Sequence, residues 1–290
     1  MSDINKLTVK FDNSSVFTDY TEAMHEFGRD STTIAIETAD FIYLGREKPF
    51  NAAYIEMGST VNSIASLMTA EYYDESAAAW TALPLLVNEP EVAGTCLARS
   101  GFIKWDKGID TDDWTTVAID SITQYWVRLS VSVNITATTS FTAIGILLSD
   151  DESLKAYAPK ILSMLPVNEN DVEASSFVQV HKAARDMVLL ELNRGGITKS
   201  DVTDGHQEWL DAWDLHDINN VAIAAAYACL YLIYWDNFDV ENDQYFIKAK
   251  EYKSEFKTAM ESVIIEVDLD DDGIVDTDEQ GKTFGTVLVR

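Results

Sequence analysis

Basic residues are scarce in this chain. Lys and Arg number 21 against 49 Asp and Glu, which leaves a formal net charge of −28. A surface of that sign repels phosphate backbones and anionic lipid headgroups, so neither nucleic acid nor a membrane surface is an expected partner. It keeps a crowded assembly soluble, although folding must overcome the self-repulsion. Cysteine is nearly absent: Cys96 and Cys229 fall in different halves, which argues against a disulfide framework. Cys229, inside the apolar run 222–234, reads as a small buried hydrophobe. The four histidines, His25, His181, His206 and His216, are scattered. No Ser or Cys stands in a nucleophile-elbow pattern, and no glycine-rich phosphate loop occurs. Glu208 and Asp211 near His206 can be assembled into a metal site, but their spacing does not single one out. His181 is expected as a satisfied core or interface histidine, and catalysis is not expected. The longest apolar run, 221–235, falls short of the roughly 18–20 residues of a membrane span. The first residues carry neither the basic nor the apolar region of a secretion signal.

What is present is a change of rhythm. With 290 residues and 47% hydrophobic content, the chain has room for two domains with separate cores. Up to about residue 148 the apolar residues mostly alternate; from 171 to 263 they recur every three or four positions. The expected fold is α+β in two domains: an antiparallel β-sandwich over 1–150, a linker over 151–170, and a helical domain over 171–290. In the first half Leu7, Val9 and Phe11 alternate with polar neighbours, as do Ile34 and Ile36, and Ile55 and Met57. Residues 124–133 are clearest, with Val127, Leu129, Val131 and Val133 on one side and Trp126, Arg128, Ser130 and Ser132 on the other. Residues 20–28 suggest one helical turn. Trp80, Trp105, Trp114 and Trp126 lie in or beside the strands. Core and sheet-edge packing is the expected role for them; a sugar-stacking platform is the alternative, but no spacing groups the four. Arg46 and Arg128 are candidates to pair with carboxylates.

In the second half Asp171 or Ser175 can cap a helix striped by Phe177, Val180, Ala184, Met187 and Val188, which Gly195 and Gly196 end. Trp209, Leu210 and Trp213 mark a turn or short helix. Asp214 or Asp217 caps the next run, 221–235, which is apolar on every side and therefore central or shared with another subunit. The last long helix carries Tyr245, Ala249, Tyr252, Phe256, Met260 and Val263 as its stripe.

Residues 268–279 match the twelve-position calcium loop. Asp268, Asp270 and Asp272 supply oxygens at positions one, three and five, and Gly273 permits the turn at six. Ile274 offers its carbonyl at seven, Asp276 stands at nine, and Glu279 is the bidentate twelfth ligand. Hard oxygen ligands carrying this much charge suit Ca²⁺ as a structural staple. Residues 283–289 then read as a strand, where an EF-hand would place its second helix, so a sensor that opens a helix pair is not expected.

Several stretches resemble virion proteins of tailed bacteriophages. In the first half these are 42–50 (IYLGREKPF), 98–105 (ARSGFIKW), 124–129 (QYWVRL) and 148–154 (LSDDESL), which resemble a sandwich found in phage structural proteins. In the second, 213–218 (WDLHDI), the alanine-rich 222–234, the acidic loop and 285–290 (GTVLVR) resemble neck, or head–tail adaptor, proteins. The resemblance implies a virion protein made in the host cytoplasm and placed at the head–tail junction. It implies a dodecameric homo-oligomeric ring below the portal protein, touching tail and neck proteins, with DNA passing through without specific binding. The helical domain would form the ring and the sandwich would project outward. A carbohydrate-binding adhesin or receptor-binding virion protein using the sandwich is the alternative.

Overall fold

Alternation in the first half and helical periodicity in the second produce an α+β arrangement, mostly antiparallel strands followed by helices. The computed structural model describes residues 7–25, 27, 31–106, 113–135, 139–165, 176–197, 199–200, 207–215, 217–238, 244–265 and 282–283. Two compact units divide the chain, Met1–Ile146 and Leu147–Arg290.

The first unit runs β1 (Thr8–Asn13), β2 (Val16–Asp19), the single helical turn α1 (Thr21–Met24), β3 (Thr32–Thr33), β4 (Phe41–Arg46), β5 (Ala52–Met57) and β6 (Met68–Asp74). It continues through β7 (Ala79–Leu83), β8 (Leu85–Asn88), β9 (Gly101–Trp105), β10 (Val117–Ile119), β11 (Ile122–Val131) and β12 (Ser140–Gly145). One sheet is ordered β2-β1-β4-β11-β6-β7, with β10 also on β11; the other is ordered β3-β12-β5-β9-β8. On β11 the expected face is buried at Val127, Leu129 and Val131. Val133 departs from the pattern: the strand has ended, and the side chain is 46% exposed. β5 also departs from simple alternation, because all six of its residues are buried. It lies between β12 and β9 in its sheet, and both of its faces are covered, the Glu56 side included.

Aromatic side chains link the two sheets. Trp114 lies 6.2 Å from Tyr72 of β6 and 5.5 Å from Phe50, which in turn lies 5.2 Å from Trp105 of β9. Trp105, Trp114 and Trp126 are buried, in keeping with packing roles. Trp126 lies across Gly45, its register partner on β4, and a Cβ at that glycine would overlap the indole ring.

The second unit contains α2 (Asp151–Lys155), a 3₁₀ turn (Ile161–Met164), α3 (Val178–Arg194), the short pair β13 (Lys199–Ser200) and β14 (Gln207–Glu208), and a 3₁₀ turn (Ala212–Asp214). The long helices α4 (Asn219–Asp236) and α5 (Gln244–Ser262) follow, then β15 (Ile264–Ile265) paired with β16 (Lys282–Thr283). Residues 151–165, read from sequence within the linker, are partly helical, and α2 packs on α4. The buried line of α3 is Val178, His181, Ala184, Val188 and Leu192. Its end is a Schellman turn: Gly196 takes φ +85°, Ile197 N–H donates to the Leu192 carbonyl and Gly196 N–H to that of Asn193. Asp217 caps α4 by accepting from Asn219 N–H at 2.9 Å.

Candidate functional site

The proposed ion ligands Asp268, Asp270, Asp272, Ile274, Asp276 and Glu279 lie outside the described residues, as do His206, His216 and residues 284–290. Described are the two ends of that segment, where Ile265 pairs with Lys282 and Ile264 with Thr283 across β15 and β16. Among the described residues no group of three or more His, Cys, Asp or Glu side chains could hold a metal ion. The free Cys96 and Cys229 are both buried, and burial pushes both thiols up, Cys229 well above the ordinary range. Neither is a nucleophile.

On the first unit, pleating and register gather side chains that no sequence spacing groups. Arg128 on β11 faces Tyr43 on β4 and Glu71 on β6. Its guanidinium lies 4.2 Å from the Phe41 ring centre and 4.5 Å from that of Trp80, and its Nε donates to Glu71 at 2.6 Å. Tyr43 sits edge-on to Trp80 at 5.6 Å and to Trp126 at 6.2 Å, with Phe17 at 5.9 Å. Burial pushes the Tyr43 phenol above its ordinary value, against the pull of Arg128. Trp80 and Phe41 remain half-buried, which leaves an aromatic surface around a cation on the outer face of the sheet. The two tryptophans therefore do cluster, through partners on other strands. Nearby Lys10, only 4% exposed, pairs at 2.9 Å with both Asp19 and Asp120. Burial alone would lower its pKa, but the two carboxylates outweigh that and raise it.

In the second unit the acidic run 150–152 closes a buried polar cluster. Asp150 caps α2 reciprocally with Ser153, and Glu152 pairs with Lys155 at 2.7 Å. Asp151 turns inward. Its Oδ1 accepts from His181 Nε2 at 3.1 Å and from Phe177 N–H at 3.2 Å, at the start of α3. The cap of α3 is thus a residue far back in the chain, while Asp171 and Ser175 lie outside the described residues. On the other side of the ring, His181 Nδ1 lies 2.8 Å from Ser149 Oγ. Ser, His and Asp in this order resemble a hydrolytic set, but Ser149 is 2% and His181 1% exposed, so no substrate reaches the hydroxyl. The cluster is a clamp that joins α2 to α3. His181 was expected as a satisfied interior histidine; its two partners were not legible, because they lie about 30 residues away.

The third feature is a groove of about 520 Å³ between α3, α4 and α5. Its walls are Met187 and Leu190 of α3, Tyr231 and Leu232 of α4, and Phe256 and Met260 of α5. Arg194, Lys253 and Lys257 stand on its rim with Glu191 and Glu261. Arg194 meets Glu191 at 3.2 Å, and Lys253 lies 5.3 Å from the Tyr231 ring centre.

No protein-family model matches this chain, and no curated protein matches it. No helix among the described residues is long and apolar enough to cross a membrane.

The clamp has a pH signature. Burial alone would raise the pKa of Asp151, but the His181 hydrogen bond and charge, with Phe177 N–H, outweigh it and hold the carboxyl below the ordinary 3.8. Its stabilising effect is therefore complete above that value and is lost as pH falls through it toward the lower folded pKa. Asp151→Asn is expected to cost about 1–3 kcal/mol at neutral pH and to flatten the acid limb of a stability-versus-pH curve measured by denaturant unfolding. Parallel curves for parent and variant would exclude the clamp.

Proposed function

We propose that this chain is a structural virion protein, the head–tail connector in the neck of a tailed phage. Its helical unit forms a dodecameric ring below the portal protein, and tail and neck proteins are its other partners. The observation that carries this reading is apolar surface left bare on the helical unit. Ile223 and Trp235 of α4 are 54% and 42% exposed, Ile247 of α5 is 57% exposed and Trp209 is 68% exposed. The first unit carries exposed apolar side chains as well, among them Val16, Leu67 and Leu86, so in a chain of net charge −28 both units present places where another surface would seat. The acid excess lets packaged DNA pass through the ring without sticking.

A structural Ca²⁺ in loop 268–279 belongs to the same reading. The pairing of Ile265 with Lys282 draws the ends of that acidic segment together, and a cation would offset the repulsion between its carboxylates. The aromatic surface around Arg128 favours a second reading, in which the sandwich binds glycans: sugar rings stack on Trp80 and Phe41 while Arg128 and Glu71 bond the hydroxyls.

Negative-stain microscopy and light scattering of the purified full chain are expected to show closed rings; a particle of protomer mass in every condition overturns the connector reading. Calorimetric Ca²⁺ titration of the assembled protein is expected to give heat that Asp268→Ala and Glu279→Ala both remove, and an absence of heat in the parent leaves the loop an ordinary turn. For the second reading, glycan-array binding should be lost in Trp80→Ala, and an array that is blank for the parent eliminates it.

A further inference from the structure

The groove between α3, α4 and α5 and the exposed Trp209 are complementary features of one unit. Trp209 is the most exposed of the large apolar side chains among the described residues. Its backbone is nevertheless held. Leu210, next in the chain, is buried and bonded in both directions to Asn193 of α3: Leu210 N–H donates to Asn193 Oδ1 at 2.8 Å, and Asn193 Nδ2 donates to the Leu210 carbonyl at 3.3 Å. Asp211 and Asp214 then fix the following 3₁₀ turn through reciprocal side-chain bonds. The indole is a large aromatic group presented to solvent on an anchored support, the form in which one side chain contributes most to binding, since little freedom is lost when it docks. Asn193 adjoins Arg194 on the groove rim, yet Trp209 does not line the groove of its own protomer. A groove of about 520 Å³ walled by Leu190, Phe256 and Met260 is roomy enough for an indole and its neighbours.

Charge selects the occupant. Arg194, Lys253 and Lys257 outnumber Glu191 and Glu261 on the rim, a local reversal in a chain with 49 acidic and 21 basic residues. Trp209 stands in the sequence between Glu208 and Asp211. An exposed apolar ring in an acidic stretch of sequence matches an apolar groove edged by cations.

We infer that Trp209 of one copy seats in the α3–α4–α5 groove of the next, a head-to-tail contact that rests on the ring reading above and gives it its subunit joint. Such a heterologous contact uses two different patches on each protomer and closes into a ring when the rotation between copies permits.

Three variants of the full chain test this, read by light scattering and negative-stain imaging with circular dichroism to confirm folding: Trp209→Glu, Leu190→Arg, and Lys253→Glu combined with Lys257→Glu. Each of the first two alone is expected at protomer mass. Mixed together they should form a two-subunit species, because the intact Trp209 of one fits the intact groove of the other. The double rim variant alters exposed positions only, so it should fold if Leu190→Arg does not, and it should weaken association by about tenfold or more at low salt. If the parent forms rings and the Trp209 and rim variants still form them with parental strength, the joint lies elsewhere while the connector reading stands. If the parent never assembles, both fall.

Discussion

The helical unit is organised by one constraint: α4 has almost no polar face. Val221, Ala224, Ala225, Ala226, Ala228, Cys229, Leu230 and Ile233 are all buried. A helix of this kind is stable only when covered on most of its circumference, and α2, α3 and α5 supply the cover. Alanine and cysteine at the contact let the neighbouring helices approach closely. Each large apolar side chain removed from water contributes about 1.5–3 kcal/mol. An exposed ion pair such as Lys248–Glu251 contributes about 0.2–1 kcal/mol. Coverage of α4 therefore dictates the packing, and surface charge adjusts it. Where that coverage stops, Ile223 and Trp235 are left in contact with solvent.

The surplus of acid has a use inside the units as well as outside. Two of the buried or partly buried cations meet carboxylates, Lys10 with Asp19 and Asp120 and Arg128 with Glu71, and the buried His181 ring donates to Asp151. Burial of a charge without a partner is costly, so these pairs remove a penalty more than they add stability. Their effect is on geometry. Arg128 lies against the rings of both Phe41 and Trp80, and Asp151 ties the start of α3 to α2. At the surface the same acid excess opposes indiscriminate association.

The second unit carries singly exposed apolar residues, a groove with a cationic rim and an exposed tryptophan on an anchored backbone. The aromatic surface on the first unit sits on strands of a rigid sheet, where a ligand group would be held without rearrangement.

The sequence by itself determined where strands give way to helices, the apolar character of α4, the stripe of α5, the glycine stop of α3 and the burial of Cys229. All of these follow from periods and propensities within a few turns of chain. It located the end of the first unit only approximately, because 150–152 looks like a polar break. Only the packed structure shows that Asp150 caps its own helix while Asp151 reaches Phe177 and His181. Tertiary structure also decided that β5 is covered on both faces, that Trp80 and Trp126 meet at Tyr43, and that three helices leave a groove that Trp209 does not line. Each of these depends on side chains from segments distant in the chain, brought together by sheet register and helix packing, and no local spacing carries that information.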